Sequence, residues 1–266
     1  MSSFPYNTIV KICRGIDMSF TVQLADKIIQ IENIHPELKD FCKDYIIEDV
    51  IPDYSIVLTE EDIRLEQDAT EENAFSPQYL ETLATLRKLA EIFPSCKRIL
   101  FHGASISYHD KAYLFTAPSG TGKSTHIRLW KKYLGNDVKI VNGDKPFISL
   151  EQETPIIYGT PWAGKERWQR NCQAPLCGIC FVTRGTTNTI RRIKPEECIT
   201  ELLHQIFIPT DPTAVALTLE LVDLLVKQVP LYLLSCDISE EAVRCSFEAL
   251  TGLDYHTRIT QKIHQL

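Results

Sequence analysis

The chain has 266 residues, enough for one large domain or for one domain with a smaller appendage, and its 44% hydrophobic and 24% charged residues are those of an ordinary globular protein. A formal net charge of −7 disfavours nucleic acid or an anionic membrane as partner, since either calls for a basic excess. No run of 18 apolar residues is present and the first residues (Met1, Ser2, Ser3, Phe4, Pro5) carry no export pattern, so the nine cysteines are expected as reduced thiols in a cytoplasmic protein without a membrane span.

Up to residue 58, short β-rich runs alternate with polar breaks. Ile9, Val10, Lys11 and Ile12 read as one strand, and Ser19, Phe20, Thr21 and Val22 as another. Residues 1–75 are therefore expected as a small β-rich region ahead of a main domain over 76–266, whose core is 95–235. The stretch 60–72 holds seven acids and one Arg. It reads as a solvated linker, with recruitment of a basic partner as the alternative. Ser76 and Pro77 then open a helix with an apolar face of Leu80, Leu83, Leu86, Leu89 and Ala90, ending near Pro94.

Residues 99–106 read as one strand, 108–111 as a turn, and 112–116 as a second strand that runs into a Gly-rich loop. A helix over 125–134 follows, with Gly135 as its C-cap. A strand at 139–141 stops at Asn142, Gly143 and Asp144. The apolar run 176–182 reads as a buried strand. Its Cys177 and Cys180 have metal-like spacing, but no second close pair accompanies them, and buried structural cysteine is preferred over zinc. After Gly185 the pattern is mainly helical, over 196–207, 212–228 and 239–250, with one more strand at 231–234. Nine of the eleven glycines fall between Gly103 and Gly185, which marks that segment as the site module.

The chemistry concentrates in Ala117, Pro118, Ser119, Gly120, Thr121, Gly122, Lys123 and Ser124, followed by Thr125. Gly120 and Gly122 let backbone N–H groups turn inward around phosphate oxygens, and the following helix points its N-terminus at the anion. Lys123 reaches the β- and γ-phosphates and Ser124 ligates Mg²⁺. Strand, loop, Gly-Lys-Ser and helix stand in the order a nucleoside-triphosphate site requires, which an ordinary Gly-Ser turn does not need. ATP and Mg²⁺ are the expected cofactors. Asp144, twenty residues beyond Ser124 at a strand end, is the expected second magnesium ligand; a turn residue is the plainer reading. The hairpin before the loop forces a mixed sheet. It also sets His102 on the neighbouring strand, as a phosphate or proton-transfer residue or as a satisfied core histidine.

Together these residues resemble the HPr kinase/phosphorylase catalytic domain, within the phosphoenolpyruvate-carboxykinase-like fold. The resemblance rests on Phe101, His102 and Gly103, on residues 117–125, and on Val141, Asn142, Gly143 and Asp144. A closer likeness, over about 95–235, is to kinase-like proteins of peptide-modification gene sets. It is carried by residues 125–130, 142–146 and 158–165. It implies a mixed-sheet α/β kinase domain and phosphoryl transfer to a hydroxyl, that of a serine on a peptide or protein; the small β-rich N-terminal region and the helical C-terminal part come from the patterning above. His102, Lys123 and Asp144 are the implied catalytic residues. The implied substrate segment, 159–171, offers Lys165, Arg167 and Arg170, which are otherwise a solvated basic loop. The family carries paired acids where this chain has Gly143 and Asp144, so the base is either Asp144 or His102. A non-catalytic nucleotide sensor or peptide-binding module is the alternative function; carboxykinase chemistry is a third for which the chain is short. A homo-oligomer is compatible with all three.

Overall fold

The computed structural model describes residues 18–70, 75–118 and 120–256; Ser119 and the expected strand at 9–12 lie outside them. In chain order the elements are β1 (Ser19–Leu24), β2 (Lys27–Glu32), α1 (Glu37–Phe41), β3 (Tyr54–Val57), α2 (Glu60–Asp68) and α3 (Pro77–Ile92). Then come β4 (Arg98–Leu100), β5 (Ala104–Tyr108), β6 (Lys111–Thr116), α4 (Lys123–Leu134), β7 (Val138–Asn142), β8 (Phe147–Ser149) and β9 (Ile156–Tyr158). The chain continues through β10 (Gln173–Arg184), β11 (Thr189–Ile193), α5 (Ile199–Leu203), α6 (Pro212–Gln228), β12 (Leu231–Cys236) and α7 (Glu240–Thr251).

The first three strands form their own sheet, ordered β1-β2-β3. Its β1–β2 hairpin closes through Ala25 and Asp26, both at positive φ, as tight hairpin turns require. Val22, Ile29 and Ile31 pack with Ala84 and Leu89 of α3 and with Phe147 and Trp162 in one apolar cluster. The acidic stretch is not a linker over its described length. Thr59 and Asp62 form a capping box that starts α2, and Arg87 and Lys88 of α3 pair with its acids. Acids drawn to a neighbouring helix's cations replace the solvation that the charge run suggested.

The larger sheet is mixed. β10 runs parallel to β6 on one side and to β12 on the other, while β5 is antiparallel to β6 and β7 antiparallel to β5. Helices cover both faces. Ala112 and Leu114 of β6 join the cluster that holds Leu221, Val222 and Leu225 of α6. Tyr113 and Phe115 join the opposite cluster with Ile127 and Trp130 of α4 and Phe247 of α7. That two-sided burial is why β6 reads as an unbroken apolar run rather than an alternation. Burying each such large side chain contributes roughly 1.5–3 kcal/mol.

Three expectations change here. The strand expected over 99–106 is interrupted at Phe101, His102 and Gly103, where N–H groups turn to Pro146 O, Gln205 O and Asp144 O respectively. Gly103 lies so close to β6 that a Cβ there would meet Leu114 Cδ1 at 2.8 Å. The helix expected over 196–207 contracts to α5, after a 3₁₀ turn at Pro195–Glu197, because Gln205 and Phe207 are drawn into hydrogen bonds with His102 and Leu100. Finally, β8, β9 and β11 were not expected, the first two being too short to show a period.

Candidate functional site

The loop leaves the C-terminal end of β6 and enters α4. Gly120 and Gly122 have φ of +75° and +130°, and a Cβ built on either meets nothing within 4 Å. They stand open in backbone conformations that side chains strain to adopt. α4 begins at Lys123 with Gly122 as its N-cap, no capping side chain and no acid in its first turn. By contrast Thr59, Ser76, Asp211 and Ser239 cap α2, α3, α6 and α7 with their own oxygens. The first N–H groups of α4, like those of the short α1 and α5, have no capping side chain, and they stand at the positive end of the dipole of a longer helix, a setting that suits an anion. This cradle and its donor set fit a phosphate chain.

Lys123 is buried and donates from Nζ to Ala117 O at 2.8 Å. Burial pushes its pKa down, Asp144 draws it back up, and Lys145 adds to the depression. Ser124 and Thr125 occupy the second and third positions of α4, both half-buried. Arg184, at the end of β10, donates to Gly120 O at 2.6 Å and to Thr121 O at 3.1 Å. These two bonds tie the end of β10 to the loop. Beside the loop, Thr125, His126 and Leu129 of α4 face Val182, Arg184, Cys236 and Ile238 across a groove of about 380 Å³. It opens at the C-terminal ends of two parallel strands, where open α/β sheets take ligands.

Asp144 is built from three directions. Asn142, fully buried at the end of β7, accepts both Asp144 N and Lys145 N on Oδ1 at 2.8 Å. Its Nδ2 donates to Thr160 O and Oγ1. Gly103 N donates to Asp144 O at 2.8 Å, laying the interrupted strand alongside. His102 then faces the carboxylate, Nε2 to Oδ1 at 3.2 Å. Thr116 Oγ1 donates to His102 O at 3.0 Å, which ties the histidine to the strand that feeds the loop. Lys145 Nζ lies 3.3 Å from Asp144 Oδ2. Burial raises the Asp144 pKa, but the bond from His102 and the charge of Lys145 outweigh it, and the carboxyl is held below its usual range.

His102, Lys123 and Asp144 therefore lie together, His102 in direct contact with Asp144 and Lys123 within electrostatic reach of it. His102 stands at the break between β4 and β5 rather than within a strand. Ser124 and Asp144 would offer a magnesium ion a hard hydroxyl and a carboxylate, and the ion would supply charge to offset that of phosphates. No cluster of three or more His, Cys, Asp or Glu side chains suited to a metal is found among the described residues. Cys180 is fully buried in β10, and the eight described cysteines are free.

Lys165, Arg167 and Arg170 lie exposed on the loop that crosses Asp144. That loop approaches so closely that a Cβ on Gly143 would meet Ala163 O at 2.5 Å, and one on Gly164 would meet Asp144 Cβ at 3.1 Å. Backbone fills the space a side chain at position 143 would need. Beyond the residues the motif selected, Asn142, Lys145 and Arg184 help shape the site. The Asn142, Gly143, Asp144 run signalled a turn, but no sequence pattern tied Arg184 to a loop sixty residues earlier. No helix among the described residues is long and apolar enough to cross a membrane.

No family model matches this chain, and no curated protein matches it. Among solved structures it is similar to the HPr(Ser) kinase/phosphatase from Coxiella burnetii, with 12% identity and a TM-score of 0.32, over 63% of this chain and 99% of that one. A superposition this loose assigns the chain to no family.

Proposed function

We propose that the protein is an ATP-dependent kinase that transfers the γ-phosphate to a hydroxyl, that of a serine on a peptide or protein. The observation that carries the reading is an uncapped helix N-terminus, behind two open positive-φ glycines, with a buried lysine and a paired carboxylate beside it. Bound MgATP supplies the phosphoryl group and the cation that offsets its charge. The α4 N–H groups and Lys123 bind the phosphates. Ser124 and Asp144 hold the cation.

His102 points Nε2 at Asp144 Oδ1, and in the neutral tautomer that carries its proton on that nitrogen, Nδ1 is the atom able to accept another. The acceptor hydroxyl passes its proton to Nδ1 late, because phosphoryl transfer goes through a loose transition state and needs little prior deprotonation. Lys165, Arg167 and Arg170 offer exposed charge to the acceptor side. The groove along α4 has the size expected of a small-molecule site and takes the nucleoside.

The test is incubation with γ-labelled ATP and cell extract, followed by location of the label. A labelled serine supports the kinase; label on no acceptor, with ATP still bound, removes it. His102→Ala should lower turnover about 10²-fold while ATP affinity changes little. A second reading, a nucleotide-dependent sensor or peptide-binding module on the same fold, draws on Gly143, where backbone fills the space a side chain would need.

A further inference from the structure

Lys145 has no part in the mechanism above, and the loop motif does not select it. Its backbone is pinned on both sides: its N–H donates to Trp162 O at 3.1 Å and its carbonyl accepts from Thr160 Oγ1 at 2.7 Å. Only the four-carbon stem is left to move the ammonium. That ammonium sits 3.3 Å from Asp144 Oδ2, while His102 holds Oδ1 of the same carboxylate. Each oxygen has one partner, and a divalent cation that arrives at this carboxylate repels the ammonium already there, so Lys145 is the partner driven off. Lys145 and Lys123 also lie within electrostatic reach of each other. Two lysines and a histidine thus surround one carboxylate, and the uncapped α4 N-terminus adds to the positive field. An ammonium displaced from Asp144 stays in that field, where the oxygens of an anion are the partners that satisfy it.

We propose that Lys145 is a second phosphate-binding lysine. It holds Asp144 while no nucleotide is bound, and its ammonium pivots onto a phosphate oxygen when Asp144 takes the cation. No covalent bond changes; one charge-assisted contact replaces another. The inference rests on the phosphate-site reading above, but on neither the acceptor nor the fate of the phosphate.

The experiment is calorimetric titration of inorganic tripolyphosphate with Mg²⁺ present, on wild type, K145M, K145R, D144N and D144N/K145M. K145M should bind about tenfold more weakly and K145R should recover most of the loss, as a charge-assisted contact requires. The double variant decides between roles. If Lys145 touches phosphate, K145M costs a similar factor in the D144N background, where there is no carboxylate left to neutralise. If it costs nothing there, Lys145 serves only Asp144 and the proposal falls. A wild type that binds neither tripolyphosphate nor MgATP overturns the phosphate-site reading and this proposal with it; wild-type binding with an indifferent Lys145 overturns the proposal alone. Thermal melts accompany each titration, and K145Q replaces K145M should the latter melt early.

Discussion

Asp62 and Asp144 are each held by two basic side chains, and they serve opposite ends. Asp62 in α2 meets Arg87 at 3.1 Å and Lys88 at 3.0 Å, and it also closes the capping box with Thr59. Asp144 meets His102 and Lys145 at 3.2 and 3.3 Å. In both, burial works to raise the pKa and the partners overcome it. The difference lies in the charge left over. Glu66 joins Asp62 opposite Arg87, so acids match cations and α2 is capped from within. Around Asp144 the cations outnumber the acid, Lys123 is close by, and α4 is left uncapped. A balanced cluster holds a fold together; an unbalanced one beside open backbone donors leaves work for a ligand.

The largest expected effect is at the unbalanced cluster. If the proposed function holds, Lys123→Met abolishes triphosphate binding or lowers turnover by about 10³-fold without lowering the melting temperature, because the charge it removes is one the proposal sets on phosphate. Asp144→Asn should follow at about 10²-fold in turnover with weakened Mg²⁺ dependence. Calorimetry with an ATP analogue and steady-state rates check both. If Asp144→Asn melts early yet turns over normally, the two clusters are alike after all.

His126 sharpens the contrast, being titratable and buried with no charged partner. Trp130 Nε1 donates to its Nε2 at 3.2 Å, and Ser246 Oγ lies 3.0 Å from the same nitrogen. Burial pushes its pKa from 6.5 down to about 4. Between those values the unfolded chain binds a proton that the folded protein refuses. Stability is therefore full above pH 6.5 and falls as the pH drops to about 4, by up to roughly 3 kcal/mol. Chemical denaturation across that range should show the slope in wild type and lose it in His126→Gln.

Asp62→Asn is the mirror of the change at Asp144. It should cost roughly 2 kcal/mol of stability through the lost cap and ion pairs, while the affinity for ATP stays unchanged. Smallest are the exposed cations of the crossing loop. Lys165→Ala, Arg167→Ala and Arg170→Ala, taken singly, should each alter apparent acceptor affinity only a few-fold, because solvent screens them. A much larger loss at one of them would single out a direct substrate contact.

The sequence by itself determined the Gly-rich loop, the strand and the helix that frame it, the capped start of α3 and the apolar β10. These signals are local: glycine conformations, cap residues and apolar runs depend on neighbours a few residues away. It also named His102, Lys123 and Asp144, though not how they meet. Only the tertiary structure decided the break at His102, because the hydrogen bonds that cause it come from Asp144, Pro146 and Gln205. It likewise turned an acidic run into a packed helix by setting Arg87 and Lys88 against it. It brought Arg184 onto the loop and Lys145 onto Asp144, and it filled the space beside Gly143 with Ala163 O. Charge balance and steric exclusion are set by which segments lie side by side, and no window of the chain contains that information.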